Sequence, residues 1–277
     1  MNSLRLIVLT VIAVNSIGVA AASDEDVHPL MTSGVSVDVG VFLPVRELDL
    51  SVDGTIGQNE EIDFDKRLNL SNADAVISGE LAWRFRSRWS FLAQYFKSSD
   101  SATATLEEDI EWGDIIFGAG TTVSAGTSFT LTKFFVGKHW DISGNRHDIG
   151  VGGGIHWLSL NSFVEGTIIE NGIPIEIRTT ARTEGPLPNI GVWYRYSISP
   201  RWAFRSRFDI LKANVGRYDG LMLNGSLGVN FQAFENVGIG ASYNYFELDV
   251  RVDESDWRGK IETIYDGAYI YLSAFFD

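Results

Sequence analysis

The chain has 277 residues, no cysteine and a formal net charge of -14 at pH 7. Without cysteine a disulfide framework is excluded, so the fold must be held by backbone pairing and burial. The acidic balance argues against a nucleic-acid partner or a polybasic lipid-binding face, since both rest on clustered Lys and Arg.

The N-terminus reads as a secretory signal: Arg5, an apolar run from Leu6 to Val14, then Ala20, Ala21 and Ala22, with a cut after Ala22. Residues 1–22 are therefore assigned to a signal peptide and 23–277 to one domain, because no linker or composition shift divides it. This domain has no run of about 18 apolar residues, so it can cross a membrane only as strands.

Strict alternation then appears segment by segment. Gly34 to Leu43 sets Val35, Val37, Val39, Val41 and Leu43 against Ser36, Asp38 and Gly40. Ala73 to Arg86 sets Ala73, Ala75, Ile77, Gly79, Leu81, Trp83 and Phe85 against Asp74, Ser78, Glu80, Arg84 and Arg86. Weaker runs follow over Trp89–Ser98, Phe129–Trp140, Asp148–Leu160, Pro188–Ile198 and Trp202–Leu211. In the second of these, Lys133, Phe134 and Phe135 break the pattern and predict a bulge. Leu221–Ala233 and Val237–Tyr245 alternate cleanly, and Ala268–Phe276 closes the chain.

Short connections at 86–88, 141–146, 197–201 and 234–236 alternate with long ones near 52–72, 99–125, 161–186, 212–219 and 250–264. With both termini on one side, this predicts an all-β antiparallel up-and-down barrel of ten strands, eight or twelve being the alternatives. Ile110 to Thr122 is an extra strand, a loop hairpin or an extension of its neighbour. Trp83, Trp89, Trp193, Tyr194, Tyr196 and Trp202 are placed in an aromatic girdle on the periplasmic side. A secreted β-sandwich would also alternate, but its outer face would need a polar cover that these strands lack.

Inward parity gathers Asp38, Glu80, Arg84, Arg86, His156, Arg195, Arg205, Arg207 and Asp209. Such a set either lines a narrow polar path or fills a small barrel with mutually satisfied charges, and the second reading is favoured. The long connections are acid-rich: Glu60, Glu61, Asp63 and Asp65; Glu107, Glu108, Asp109, Glu111 and Asp114; Asp253, Glu254 and Asp256. Their ordinary role is a solvated surface, and their functional one is to hold cations or a ligand. Gly150, Gly152, Gly153 and Gly154 sit in a strand pattern and make room for packing rather than a dinucleotide loop.

The last strand counts back from Phe276 through Ala274, Leu272, Ile270 and Ala268, with Tyr269, Tyr271 and Phe275 between them, and one further residue, Asp277, follows. This resembles the C-terminal assembly signal of outer-membrane barrels, carried by Tyr269, Tyr271, Phe275 and Phe276. With the strand pattern, the chain resembles the small outer-membrane β-barrel superfamily of the OmpA transmembrane domain, OmpW and the opacity proteins. That resemblance implies the bacterial outer membrane as location. It implies lipid, lipopolysaccharide and the outer-membrane assembly machinery as partners.

Two enzymatic patterns known among such barrels are not matched. Lipid A deacylases use His-x-Ser, whereas His156 and Ser159 fall on opposite faces of a strand. Omptin-type proteases need Asp-x-His, whereas His147-Asp148 is reversed and adjoins a periplasmic turn, where a solvated role is expected of Asp148. The expectation is a non-enzymatic, cofactor-free and metal-free barrel, porin-like, with a structural role or restricted passage of small solutes. The alternative is an adhesin or ligand-binding barrel acting through its acidic loops.

Overall fold

The computed structural model describes residues 27–54, 59–68, 75–86, 88–170, 172–215, 218–253 and 258–277. The predicted signal peptide, and Ala73, Asp74, Glu254 and Asp256, lie outside them.

In chain order the elements are β1 (Val35–Val52), β2 (Ile62–Asp63), α1 (Phe64–Arg67), β3 (Val76–Phe85), β4 (Trp89–Thr105), β5 (Ile110–Trp112) and β6 (Ile115–Phe117). Then come β7 (Thr122–Ile142), β8 (His147–Glu170), β9 (Ile173–Ser199), β10 (Trp202–Val215), β11 (Tyr218–Gln232), β12 (Val237–Asp253) and β13 (Arg258–Phe276). Among the described residues, ten strands (β1, β3, β4 and β7 to β13) pair antiparallel with their neighbours in sequence. β13 returns to β1 in register from Val35↔Phe276 to Val52↔Gly259. The ring closes, which leaves no open edge to pair with another chain. The four short turns fall where predicted. Residues 110–122 resolve as the β5–β6 hairpin, which reaches inside the barrel mouth, followed by the start of β7.

Three expectations about the strands are corrected. Most of 161–186, 212–219 and 250–264 is strand: β8 and β9 pair without interruption out to Glu170↔Ile173. These strands have 24 and 27 residues, against the roughly nine to eleven that cross a bilayer. The predicted bulge is absent, since Lys133, Phe134 and Phe135 hold one register against both Gln94–Leu92 and His156–Gly154. Trp193 leaves the girdle. It points inward and is buried, and Gly137 and Gly150 face it so closely that a Cβ at either would overlap the indole. Trp83, Trp89 and Trp202 remain exposed on the outside near the periplasmic end, and Trp140, not foreseen there, joins them.

The outer face explains the length of the strands. A belt of Val39, Val41, Leu43 and Val45 on β1 gives way to Glu47 and Asp49. On β13, Leu272 and Ile270 give way to Asp266 and Glu262. The inner face changes in the opposite sense, from Asp38 to Leu48 and Leu50 on β1 and from Ser273 to Ile261 on β13. Below the crossover the barrel is built for lipid outside; above it, for water outside with an apolar core.

Candidate functional site in the barrel lumen

From the periplasmic end upward, the lumen is first closed by a strap. A 3-10 turn over Pro29–Met31 starts at His28, whose ring Nδ1 accepts from the Leu30 backbone at 3.0 Å. The His28 backbone donates to Ser197 Oγ at 2.9 Å, and its ring meets Phe275 edge-on at 5.6 Å. Leu30 packs with Phe275 and Ala203. Arg84 donates to the carbonyls of Leu30, at 3.1 Å, and Met31.

Above the strap stands a layer of buried ion pairs. Arg84 reaches Asp148 at 2.7 Å, and the Trp193 indole donates to the other oxygen of the same carboxylate at 2.8 Å. Arg205 bridges Asp38 at 2.5 Å and Glu80 at 2.6 Å. Ser273 donates to Asp38 at 2.6 Å, Asn230 to Ser273 at 2.9 Å and Tyr271 to Asn230 at 2.7 Å. Asp209 accepts from Lys133, from Arg207 at 2.8 and 3.0 Å and from Asn224 at 3.0 Å. The Arg207 guanidinium also lies 4.0 Å from the Phe135 ring centroid. Carboxylates in low dielectric survive only when paired and hydrogen-bonded in this way.

A septum of five aromatic rings lies over the charges. Phe96 meets Phe42 at 5.6 Å and Tyr265 at 5.7 Å, while Phe129 meets Phe96 at 6.1 Å, Tyr265 at 5.1 Å and Phe246 at 5.7 Å. A cavity of about 50 Å³ lies against its underside, beside Gln94, Lys133 and Asn224. Above the septum, Phe64 of α1 and Trp112 and Phe117 of the β5–β6 hairpin fill the mouth together with Leu48, Leu50, Val164 and Leu248.

Of the residues singled out in the sequence, Asp38, Glu80, Arg84, Arg195, Arg205, Arg207 and Asp209 share this layer. His156 is also inward and fully buried, opposite Lys133 in the register but outside the ion pairs. Arg86 is not in the lumen. β3 ends at Phe85, and Arg86 turns into the left-handed region with φ 58°, which takes its exposed side chain out of the alternation. Two members were missed. Lys133 was hidden by the supposed bulge, although parity counted back from the outward Trp140 places it inward. Asp148 was expected to be solvated and is instead fully buried. Tyr269, Tyr271 and Phe275 point into the lumen and Phe276 points out.

The histidines cluster low: His28, His139 and His147 at the periplasmic end, with His156 in the lumen. One oxygen or nitrogen each from His139, Asp141 and Asp148 come within 4.8 Å of one another. Arg84 and Arg195 press on the same Asp148 carboxylate, which makes the spot unfavourable for a cation.

At the outer rim Asp49 faces Asp63, Glu61 and Glu262. Burial first, then those three carboxylates, pushes its carboxyl up to about 6. Lys260 lies 2.8 Å from Glu262, 3.2 Å from Glu61 and 3.6 Å from Asp249, and these acids hold its ammonium above the usual lysine range. Three of the remaining loop acids anchor chain segments at this end. Asp63 caps α1 by accepting from the Lys66 backbone at 2.8 Å, Glu108 meets Arg67 at 3.2 Å, and Asp109 accepts from the Ala119 backbone at 2.7 Å.

The closed ring, apolar belt and charged lumen define a membrane-spanning β-barrel of the kind found in bacterial outer membranes. No family model and no curated protein sequence matches the chain. Among solved structures it is similar to the outer membrane protease OmpT from Escherichia coli, at 11% identity and a TM-score of 0.59, covering 87% of this chain and 96% of that one. The Pseudomonas putida toluene transporter TodX matches at 9% identity and a TM-score of 0.36, over 89% and 92% of the two chains. Ail, the attachment invasion locus protein of Yersinia pestis, matches at 12% identity and a TM-score of 0.30, over 87% and 99%. At these identities the likeness is one of fold.

Proposed function

We propose that the chain is a non-enzymatic outer-membrane barrel that does not conduct, and that it serves as a structural element carrying a rigid extracellular stalk. Lipid would face the belt, and lipopolysaccharide the acidic rim. The observation that carries this reading is the aromatic septum, which lies between a layer of buried ion pairs and an apolar core. Restricted passage of solutes would require those rings and the β5–β6 hairpin to leave the mouth together. Liposomes containing refolded protein should swell no faster in arabinose or glycine than empty ones; faster swelling would sink the non-conducting reading.

A second reading, surface binding, rests on the tip of the β8–β9 hairpin. Ile169 and Ile173 are 78% and 62% exposed there, far from the belt. Exposed aliphatic clusters of this kind commonly mark contact sites. Replacing Ile169, Ile173 and Ile175 by Ser should abolish attachment of expressing cells to a host-cell monolayer while the barrel still assembles. Unchanged attachment would count against this reading.

A further inference from the structure

We propose that the periplasmic half of the lumen is a binding site for one small inorganic anion of chloride size, held by Arg195 with Arg84 and Ser36. A cavity of about 20 Å³ lies there, and the polar side chains that define its character are Ser33, Ser36, Ser90, Arg84, Arg195 and Arg207. Each of these can donate a hydrogen bond, and no carboxylate lines the cavity. Trp193 also lines it, but its N–H is already given to Asp148. One water-sized occupant needs roughly 10–15 Å³, so the site admits a single small ion and excludes a sugar or a phosphate ester.

The charges around the cavity favour an anion. In the membrane-spanning lumen Arg84, Lys133, Arg195, Arg205 and Arg207 face Asp38, Glu80, Asp148 and Asp209. Asp141 lies at the periplasmic opening, its side chain 30% exposed and beside His139. Arg205 has two carboxylates, Arg207 and Lys133 share Asp209, and Arg84 takes Asp148 at 2.7 Å. Arg195 has only a 4.0 Å approach to that already engaged Asp148. In the sheet register Arg195 stands between Asp148 of β8, which Arg84 already holds, and Arg205 of β10, another cation. Like charges opposite one another repel, and a low-dielectric surrounding magnifies the repulsion. An anion in the cavity would relieve it and give the Arg195 guanidinium an acceptor. The Ser36 hydroxyl, which donates to no described residue, would supply a second donor. Leu30 and Ser33 form part of the wall, so the strap covers the site on its periplasmic side.

The test uses sodium chloride as probe on the full barrel refolded in zwitterionic detergent, with sodium gluconate at equal ionic strength as the anion too large to enter. Chloride should raise the thermal midpoint saturably, gluconate should not, and the chloride resonance should broaden on adding protein. Arg195→Gln should weaken chloride about tenfold or more, the scale of a lost charged hydrogen bond. Ser36→Ala should weaken it severalfold. Folding of both variants is read from heat-modifiable gel migration, and Ser36→Ala carries the test if Arg195→Gln fails to fold. Equal midpoints in chloride and gluconate, or broadening that survives in every folded variant, would overturn the proposal.

Discussion

Along β8 the outward residues below Trp157 include Ile149, Val151 and Ile155, and above it they include Ser159, Asn161 and Glu165, with Phe163 covered by the Arg178 guanidinium. The inward residues run the other way, from Asp148 and His156 to Leu158, Leu160 and Val164. One strand thus serves two solvents. In the lower half, lipid takes the apolar side chains and the lumen must satisfy charges internally. In the upper half, water takes the polar side chains and the lumen becomes an ordinary hydrophobic core. The aromatic septum stands where the two interiors meet, because rings tolerate an apolar neighbour above and hydroxyls and amides below.

The largest expected break in this scheme comes from the lower interior. Asp209→Ala strands Lys133 and Arg207 as buried cations without their carboxylate and should cost about 3–5 kcal/mol, read as a lower urea midpoint in lipid vesicles. Phe129→Ala removes the ring that touches three others in the septum. A loss of about 3–5 kcal/mol at most is expected, with the smaller values if Phe96 and Tyr265 collapse into the gap.

The contrast between the halves is sharpest on the outer face. Leu272→Arg lies in the belt and should cost about 2–4 kcal/mol, whereas Thr180→Arg lies on the extracellular stalk and should change stability by no more than about 0.5 kcal/mol. Equal costs at the two positions would mean that the crossover from lipid to water has been misplaced.

The smallest effect is at the rim. The carboxyl of Asp49 holds its proton up to about pH 6 in the folded barrel, against an ordinary value of about 3.9 in an unfolded chain. The folded state therefore binds more protons across that interval. Stability contributed at Asp49 is present at low pH and is lost as pH rises from about 4 through about 6. Asp49→Asn should flatten that slope and leave the protein slightly more stable than the wild type at pH 7. A wild-type urea midpoint that rises over the same interval, with no difference in the variant, would contradict the assignment.

The lower half was legible in the sequence because lipid demands apolar residues at every second position, and Val37 to Leu43 or Leu223 to Phe231 supply them. The upper half still alternates, but in the opposite sense: in β9, Arg178, Thr180, Arg182 and Glu184 face out while Ile177, Thr179, Ala181 and Thr183 face in. A search for apolar outward faces therefore stops at the crossover and leaves long loops. Seven lumen charges followed from parity alone. Trp193 and Lys133 did not, because indole was assigned to the bilayer interface by residue type and Lys133 sits beside two phenylalanines that look like a break. Nothing local in the sequence brings the β5–β6 hairpin into the mouth. Its buried Trp112 and Phe117 pack against residues of strands far away in the chain.

The most direct test of the sealed lumen is single-channel recording on refolded protein in planar bilayers, with the double variant Phe96→Ala/Phe129→Ala measured alongside. Wild type without discrete current steps, and steps that appear only when the septum is thinned, is the predicted result. Stable, reproducible steps from the wild type would contradict the account.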